Sequence, residues 1–459
     1  MKTIFTTLAI SSAAFLYAQQ SAPSVEWTRD YKINHTSSEA LCLDNNNVMT
    51  FMAKDNDGSS EKLHLVKINA GGVTSDVILS IPAGSYYPWK LVATSDNAFV
   101  TTNENDGTLQ KYNSAGGLVW NKTFGTDFYT DDFIRTTDSN LTVIGGNFDA
   151  GNVFYMIRKM DNNGNTIWEK KAEKLNSMYY EPTAVTQTSD GGYIIGGVYT
   201  DNLQSEYMLG YNLVRLDSNG NVIWEKRYAI PANVECWPEK ILVSNDGGFV
   251  MLSELDDDNP GSNSNSQYGK FDSNGNLIWN KLTPEYISDI EKGLEDGYVL
   301  SIIEDDSSNP AIDEFILRKI DELSNLIWEK NYGTLGDSPS QSLIRISDGF
   351  AALTTVYGEG GQGNSAKVTK FGAGTAGTSD IVKLKMTLYP NPTTDYLNLK
   401  MDNLKSIDKI EIYDASGRLV KSMTGQKSLN INVTDLKKGN YMLKVKIEDN
   451  NHTASFIKK

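Results

Sequence analysis

The stretch RLDSNGNVIWEKRY, residues 215–228, decides the fold. It reads as a strand, a turn and a second strand, because Asn-Gly between alternating apolar runs supplies the positive φ of a tight hairpin. The phrase returns as KYNSAGGLVWNKTF at 111–124, KMDNNGNTIWEKKA at 159–172, KFDSNGNLIWNKLT at 270–283 and KIDELSNLIWEKNY at 319–332. Aligned on its opening basic residue and extended to weaker copies, the set is Lys67, Lys111, Lys159, Arg215, Lys270, Lys319 and Lys370, at intervals of 44 to 56 residues.

A second signal falls between these anchors, a turn followed by an apolar strand: TSDGGYIIGG at 188–197, SNDGGFVML at 244–252, LEDGYVLSI at 294–302. Each unit therefore holds four strands. In the fourth unit they are PTAVTQT (a), YIIGGVYT (b), YNLVRLD (c) and VIWEKRY (d), with SDGG and SNGN as the a–b and c–d turns. Seven four-stranded units predict an all-β chain with a seven-bladed β-propeller. A stacked solenoid fits less well, since solenoid units are shorter and carry fewer strands.

Trp120, Trp168, Trp224, Trp279 and Trp328 each stand nine residues after their anchor. A large flat ring at one fixed place per unit suits a wedge between neighbouring sheets, and the flanking Lys and Glu suit an outer strand that must resist edge pairing. Ser75 takes this slot in the first unit. Trp27, in VEWTRDY at 25–31, has no preceding a, b or c, while the last unit lacks a strand d. The expected solution is ring closure, with the N-terminal strand completing the last blade.

Asp217, Gly220 and Trp224 resemble the tryptophan-docking repeat of quinoprotein-type propellers, with the Asp-to-Gly spacing one residue short. The units resemble more closely a broad set of bacterial secreted propellers, over residues 22 to about 373. That resemblance implies a fold and no activity. The quinone dehydrogenases use an adjacent cysteine pair; this chain has only Cys42 and Cys236, so their chemistry is not expected here. Those two fall in distant units and are expected to stay unpaired.

The net charge is −16. Residues 385–459 hold 13 Lys/Arg and 8 Asp/Glu, a balance of +5, so the remainder carries −21. Such a propeller repels phosphates, which argues against nucleic acid. The start, MKTIFTTLAISSAAFLYAQQSAP, has basic Lys2, an apolar run from Ile4 to Tyr17 and the small Ala18. Residues 1–18 are expected to be a secretory signal peptide, and no stretch is long and apolar enough for a transmembrane segment.

Residues 374–384 read as a linker and 385–459 as a second unit. LYPNPTTDYLNL (388–399), KIEIYDASGRLVKS (409–422), LKKGNYMLKVK (436–446) and a final SFIKK follow in order. Alternating Leu397 and Leu399, Ile410 and Ile412, and Leu443 and Val445 predict a small antiparallel β-sandwich. Pro390, Asn391 and Pro392, then Tyr413, Asp414 and Gly417, then Gly439 and Tyr441 resemble the landmarks of the type A C-terminal sorting domain of the type IX secretion system of Bacteroidetes. That resemblance implies the type IX machinery as a partner, passage through the outer membrane, and surface attachment or release.

The d–a and b–c loops are long and vary from unit to unit, so function is expected on their shared face. The starts of the inner strands align as Tyr87, Tyr129, Tyr180, Trp237 and Tyr286, with His35 and Ser338 in the remaining units and Glu181 and Glu235 close by. Aromatics beside carboxylates suit an extracellular glycan or peptide; plugging of the channel mouth by the same rings is an equally open reading. The b–c loops, such as DDDNPGSNSNS at 256–266, have the oxygens to hold calcium, but none has EF-hand spacing, and solvated hairpins are the favoured reading. No cofactor and no other metal is expected, as no catalytic motif of hydrolases, zinc enzymes or nucleotide-binding proteins occurs. The expected function is an exported binding scaffold. The alternatives are a glycan-active hydrolase or lyase using acids such as Glu181 and Glu235 on the same face, and a purely structural surface protein.

Overall fold

The repeated phrase folds through its own side chains. In the c–d turn of the fourth unit, Asp217 Oδ1 accepts the Asn219 and Asn221 backbone N–H groups, both at 2.8 Å. Asn221 Nδ2 donates to the other carboxylate oxygen at 2.9 Å. Gly220 supplies a φ of +78°. Asp161, Asp272 and Asp321 repeat this arrangement in their own units. A short carboxylate that caps two donors explains why the turn begins with Asp.

The anchors have a role that their spacing alone did not disclose. In all seven units the basic residue on strand c pairs with the aspartate of the a–b turn. The distances are 2.7 Å for Lys67–Asp44, Lys111–Asp96, Lys270–Asp246 and Lys370–Asp348, 2.5 Å for Lys159–Asp138, 2.6 Å for Arg215–Asp190, and 4.0 Å for Lys319–Asp296. The Thr188 hydroxyl first, and then the Gly192 N–H and the Arg215 guanidinium, hold the Asp190 carboxyl down at about 2. Each blade thus ties its two hairpins together at one face.

The structure is a computed structural model and describes residues 22–32, 37–56, 61–81, 88–103, 107–124, 128–149, 152–171, 179–200, 210–230, 234–257, 265–305, 313–335, 342–356, 365–372, 387–400, 407–414, 419–426, 430–447 and 450–459. The expected signal peptide and linker lie outside these residues. All described regular elements are strands, and no helix is long and apolar enough to cross a membrane. The chain divides into two units, Met1–Ala376 and Gly377–Lys459.

The first unit contains seven four-stranded antiparallel sheets. Their inner strands are Ser37–Leu43, Pro88–Ala93, Phe128–Arg135, Tyr179–Gln187, Val234–Val243, Tyr286–Lys292 and Ser342–Ile346, here blades 1 to 7. Successive inner strands are neighbours, and the first also meets the last, so the blades form a ring. The core consists of seven apolar slabs between adjacent blades rather than one central mass. Phe51 and Val66 of blade 1, for example, pack with Leu353 and Val368 of blade 7.

The tryptophans are the expected wedges, and they dock on the next blade's c–d turn. Trp120 Nε1 donates to Asn162 O at 3.2 Å, Trp224 Nε1 to Ser273 O at 3.2 Å, and Trp279 Nε1 to Glu322 O at 3.0 Å. A Cβ on Gly220 would fall 2.7 Å from the Trp168 ring, so the turn glycine serves both its positive φ and the indole above it. Where Ser75 replaces the tryptophan, Val77 of blade 1 covers Gly116 of blade 2 instead.

The strand Val25–Lys32 lies antiparallel to Ser365–Gly372 as the outer strand of the last sheet, with Trp27 opposite Lys370. Arg29 donates to Ala70 O in the blade 1 turn. Tyr31 Oη donates to Asp76 Oδ2 at 2.5 Å, and His64 Nδ1 bonds Asp76 Oδ1 at 2.8 Å. We propose that this strand closes the ring. Removal of residues 22–32 is then expected to lower stability by about 4 kcal/mol or more, since it uncovers an apolar slab and a full strand edge. Calorimetry showing an unchanged melting temperature would refute the closure.

The second unit packs a three-stranded sheet on a four-stranded one. Leu397, Leu399 and Ile431 from the first meet Ile410, Ile412, Leu443 and Val445 from the second. The expected sandwich is present.

Candidate functional site

Every inner strand contributes to one central cavity of about 810 Å³. In blades 1 to 6 the inner strand carries a β-bulge, and in blade 7 it does not. The unpaired residue is Asp131 in blade 3, Thr183 in blade 4, Glu239 in blade 5 and Ser288 in blade 6. A bulge re-aims one side chain and shifts the alternation beyond it. Thr183, Glu239 and Ser288 consequently line the cavity.

The residue after the bulge stitches blades together. Asp132 pairs with Lys90 of blade 2 and accepts the Val185 N–H of blade 4 at 2.9 Å. Asp289 repeats the pattern: Lys240 of blade 5 lies at 2.7 Å and the Leu343 N–H of blade 7 also at 2.7 Å. Lys240 reaches Glu291 as well, at 2.8 Å. Burial disfavours the Lys240 charge, but the two carboxylates outweigh it and hold the ammonium above the usual lysine range.

Among the described residues no cation pairs with Glu239 or Glu254, which also line the cavity. Enclosure by protein, and then the facing Glu254 carboxyl, push Glu239 up to about 8. Glu239 is open to water within the channel, so the Glu254 contribution is the part of this shift that carries weight. Burial and then the charges of Glu239 and Glu254 push the neighbouring Tyr286 up to about 12. In blade 3, burial and the nearby Glu181 raise Asp131 well above the usual range, against a Gly146 N–H bond at 2.8 Å. Clustered carboxyls with raised proton affinity are a mark of ligand and catalytic sites.

Trp237 and Tyr286 from the expected aromatic column line the cavity. Trp237 Nε1 donates to Glu235 at 3.2 Å. Tyr129 is exposed. Tyr180 is not presented to a ligand: it is 3% exposed and packs edge-on against Tyr155 of the preceding blade, ring centroids 5.1 Å apart. Measured from the bulge, Tyr129, Glu181, Trp237 and Tyr286 share one position, and Phe128, Tyr180 and Cys236 share the preceding, buried one. Tyr87, His35 and Ser338 lie outside the described residues, as do most of the b–c loop residues considered for calcium. No group of three or more His, Cys, Asp or Glu among the described residues is placed to hold a metal ion. Both cysteines are free thiols, and burial pushes each up to about 12.

Glu239, Glu254, Lys240 and Asp289 were not singled out by the sequence. The proline of Trp237-Pro238 in mid-strand was the available signal, because proline inside a strand marks an edge or a bulge.

In the second unit, Gly439 pairs with Lys458 and Tyr441 with Phe456, so the Gly-x-Tyr landmark lies against the chain end. Residues 387–459 match a family model described as a secretion system C-terminal sorting domain. This unit is a type IX sorting domain. It assigns the chain to export by the type IX machinery of Bacteroidetes, to the cell surface or beyond. Gly417 of its landmark set lies outside the described residues. Among curated proteins none matches this chain. Among solved structures, the polysaccharide lyase Uly1 shares 8% identity at a TM-score of 0.53, over 76% of this chain and 99% of its own. A catalytically inactive virginiamycin B lyase from Staphylococcus aureus shares 12% at 0.49, over 75% and 99%. A protein of unknown function from Bacteroides caccae shares 9% at 0.39, over 60% and 90%. The likeness to the first of these shows the propeller fold alone.

Proposed function

We propose that the propeller delivered by this sorting domain is a binding module, and that its central cavity takes a glycan or a peptide bearing a cationic group. The observation that carries this reading is the cavity of about 810 Å³ in which Trp237 and Tyr286 stand beside Glu239 and Glu254. Aromatic faces stack on sugar rings and attract cations, while paired carboxyls accept hydrogen bonds from hydroxyl or ammonium donors. An N-terminal signal peptide, cleaved near Ala18, belongs to the same proposal.

The mature protein on glycan and basic-peptide arrays tests it. Binding is expected to fall by about a hundredfold in Trp237→Ala with Tyr286→Ala, the loss typical of two anchor side chains. Retained affinity in that variant would refute the cavity as the site.

A second reading has its own support. A carboxyl held up to about 8 is still protonated at neutral pH, which is what a general acid needs. On this reading Glu239 gives its proton to the leaving oxygen as the glycosidic bond breaks, and a second acid, Glu181 or Glu235, takes a proton from the attacking water. A reducing-sugar assay separates the two: turnover lost in Glu239→Gln supports the enzyme, and binding without turnover supports the module.

A further inference from the structure

The sorting landmarks are scattered over about seventy residues of sequence, yet hydrogen bonds join them at one corner of the sandwich. Asn391 Oδ1 accepts the Ile457 N–H at 2.9 Å. The Thr393 N–H donates to Ile457 O at 2.8 Å, and the Lys459 N–H donates to Thr393 O at 2.8 Å. Thr393 and Lys458 thereby form a parallel bridge outside the sheets. The strand Gly439–Ile447 enters beside them, Gly439 opposite Lys458 and Tyr441 opposite Phe456, the latter two rings stacked at 5.5 Å. On its other side Tyr441 faces Asp414. Tyr441 Oη donates to Lys437 O at 2.7 Å and fixes the turn that leads in. The Pro-Asn-Pro segment, the Tyr-Asp segment, the Gly-x-Tyr segment and the chain end are therefore one assembly.

Buried and exposed members divide cleanly. Thr393, Tyr441 and Phe456 are buried, whereas Ile457 is 47% exposed and Tyr389 and Tyr396 are each 50% exposed. Lys437, Lys438 and Lys459 are exposed too. Ile457, Tyr389 and Tyr396 leave apolar surface exposed within a few residues of the bonds at this corner, and exposed lysines beside the same segments in sequence would select a partner by charge.

We propose that the export machinery reads this folded corner, and not the terminal residues as an extended tail, through a surface that places acidic groups around an apolar notch for Ile457. The buried landmarks hold the corner in shape; the exposed residues make the contact. The inference rests on the sorting role of residues 387–459.

The full chain, expressed in a Bacteroidetes host with a working type IX system, tests it by the fraction exported against that retained in the periplasm. Ile457→Glu, and Lys437→Glu with Lys438→Glu, are each expected to cut export about tenfold, the effect of losing a central contact residue. Lys437→Arg with Lys438→Arg should export normally. Lys409→Glu, at the start of the strand whose far end carries Asp414, should do so as well. Thermal melts of the purified full chain identify any variant that merely unfolds; the lysine pair is solvent-exposed and keeps the test open if Ile457→Glu does. Normal export of the lysine double variant, or an equal loss in Lys409→Glu, overturns the corner. Normal export after deletion of 387–459 overturns the sorting role itself, and the corner with it.

Discussion

Replacing Lys240 with methionine is expected to destabilise the propeller by about 3 kcal/mol, because it strips the cation from two largely buried carboxylates. The ammonium bridges Asp289 and Glu291, whose side chains are only 10% and 19% exposed. Asp289 also accepts the Ile290 and Leu343 N–H groups, each at 2.7 Å, so it cannot swing out to water without breaking the link between blades 6 and 7. Methionine fills the volume but leaves two carboxylates without a cation. Urea titration should show a lower midpoint at unchanged slope. Adding Asp289→Asn should recover much of the loss, because the pair is coupled and one carboxylate is then neutral. The Lys370 pair offers the contrast: its carboxylate partners Asp348 and Glu26 are 58% and 40% exposed and stay solvated without the cation, so Lys370→Met should cost about 1 kcal/mol or less. A Lys240→Met variant as stable as Lys370→Met would show that the inner-wall stitches are incidental to the ring.

The turns were legible because their chemistry is local. Asp217, Gly220 and Asn221 determine a hairpin with nothing but each other, and Trp224 then needs only the next copy of the same turn to dock on. The blade count and the sorting landmarks follow from order along the chain, which the sequence states directly. The cavity was only half legible. Tyr129, Trp237 and Tyr286 each stand seven residues before their a–b turns at Thr136, Ser244 and Gly293, and in blade 4 the residue seven before Thr188 is Glu181. Choosing Tyr180 for its ring departs from that count by one residue, and one residue exchanges the two faces of a strand. The side chain then proved to be core, against Tyr155. The Glu239–Glu254 pair was hidden by the bulge itself: the extra residue between Pro238 and Lys240 places Glu239 in the channel, and the register of the next strand brings Glu254 opposite Trp237. Neither residue lies in a motif, and only pairing across strands unites them.

That pair should make the propeller lose stability as pH rises. The Glu239 carboxyl is raised from 4.5 to about 8 in the folded chain. Between those values the folded state keeps a proton that the unfolded chain releases, so the contribution is complete below about pH 4.5 and disappears as pH climbs through 8. Asp131 acts in the same direction, since its carboxyl is also raised. The difference between wild type and Glu239→Gln isolates the pair. Glutamine keeps the shape and a hydrogen-bond donor toward Glu254 at every pH. The two proteins should therefore match below about pH 4.5, diverge steadily from there to about pH 8 and run parallel above it, the variant being more stable at pH 9 by about 1 kcal/mol, a figure reduced for solvent access to the channel. Glu254→Gln should behave alike, and the double variant should add little. Parallel stability curves from pH 5 to 9 would sink the shared proton, and with it the general-acid reading. A cationic ligand provides the converse test: it replaces the proton between the two carboxyls, so its affinity for the wild type should rise from pH 6 to 9 while that of Glu239→Gln stays level.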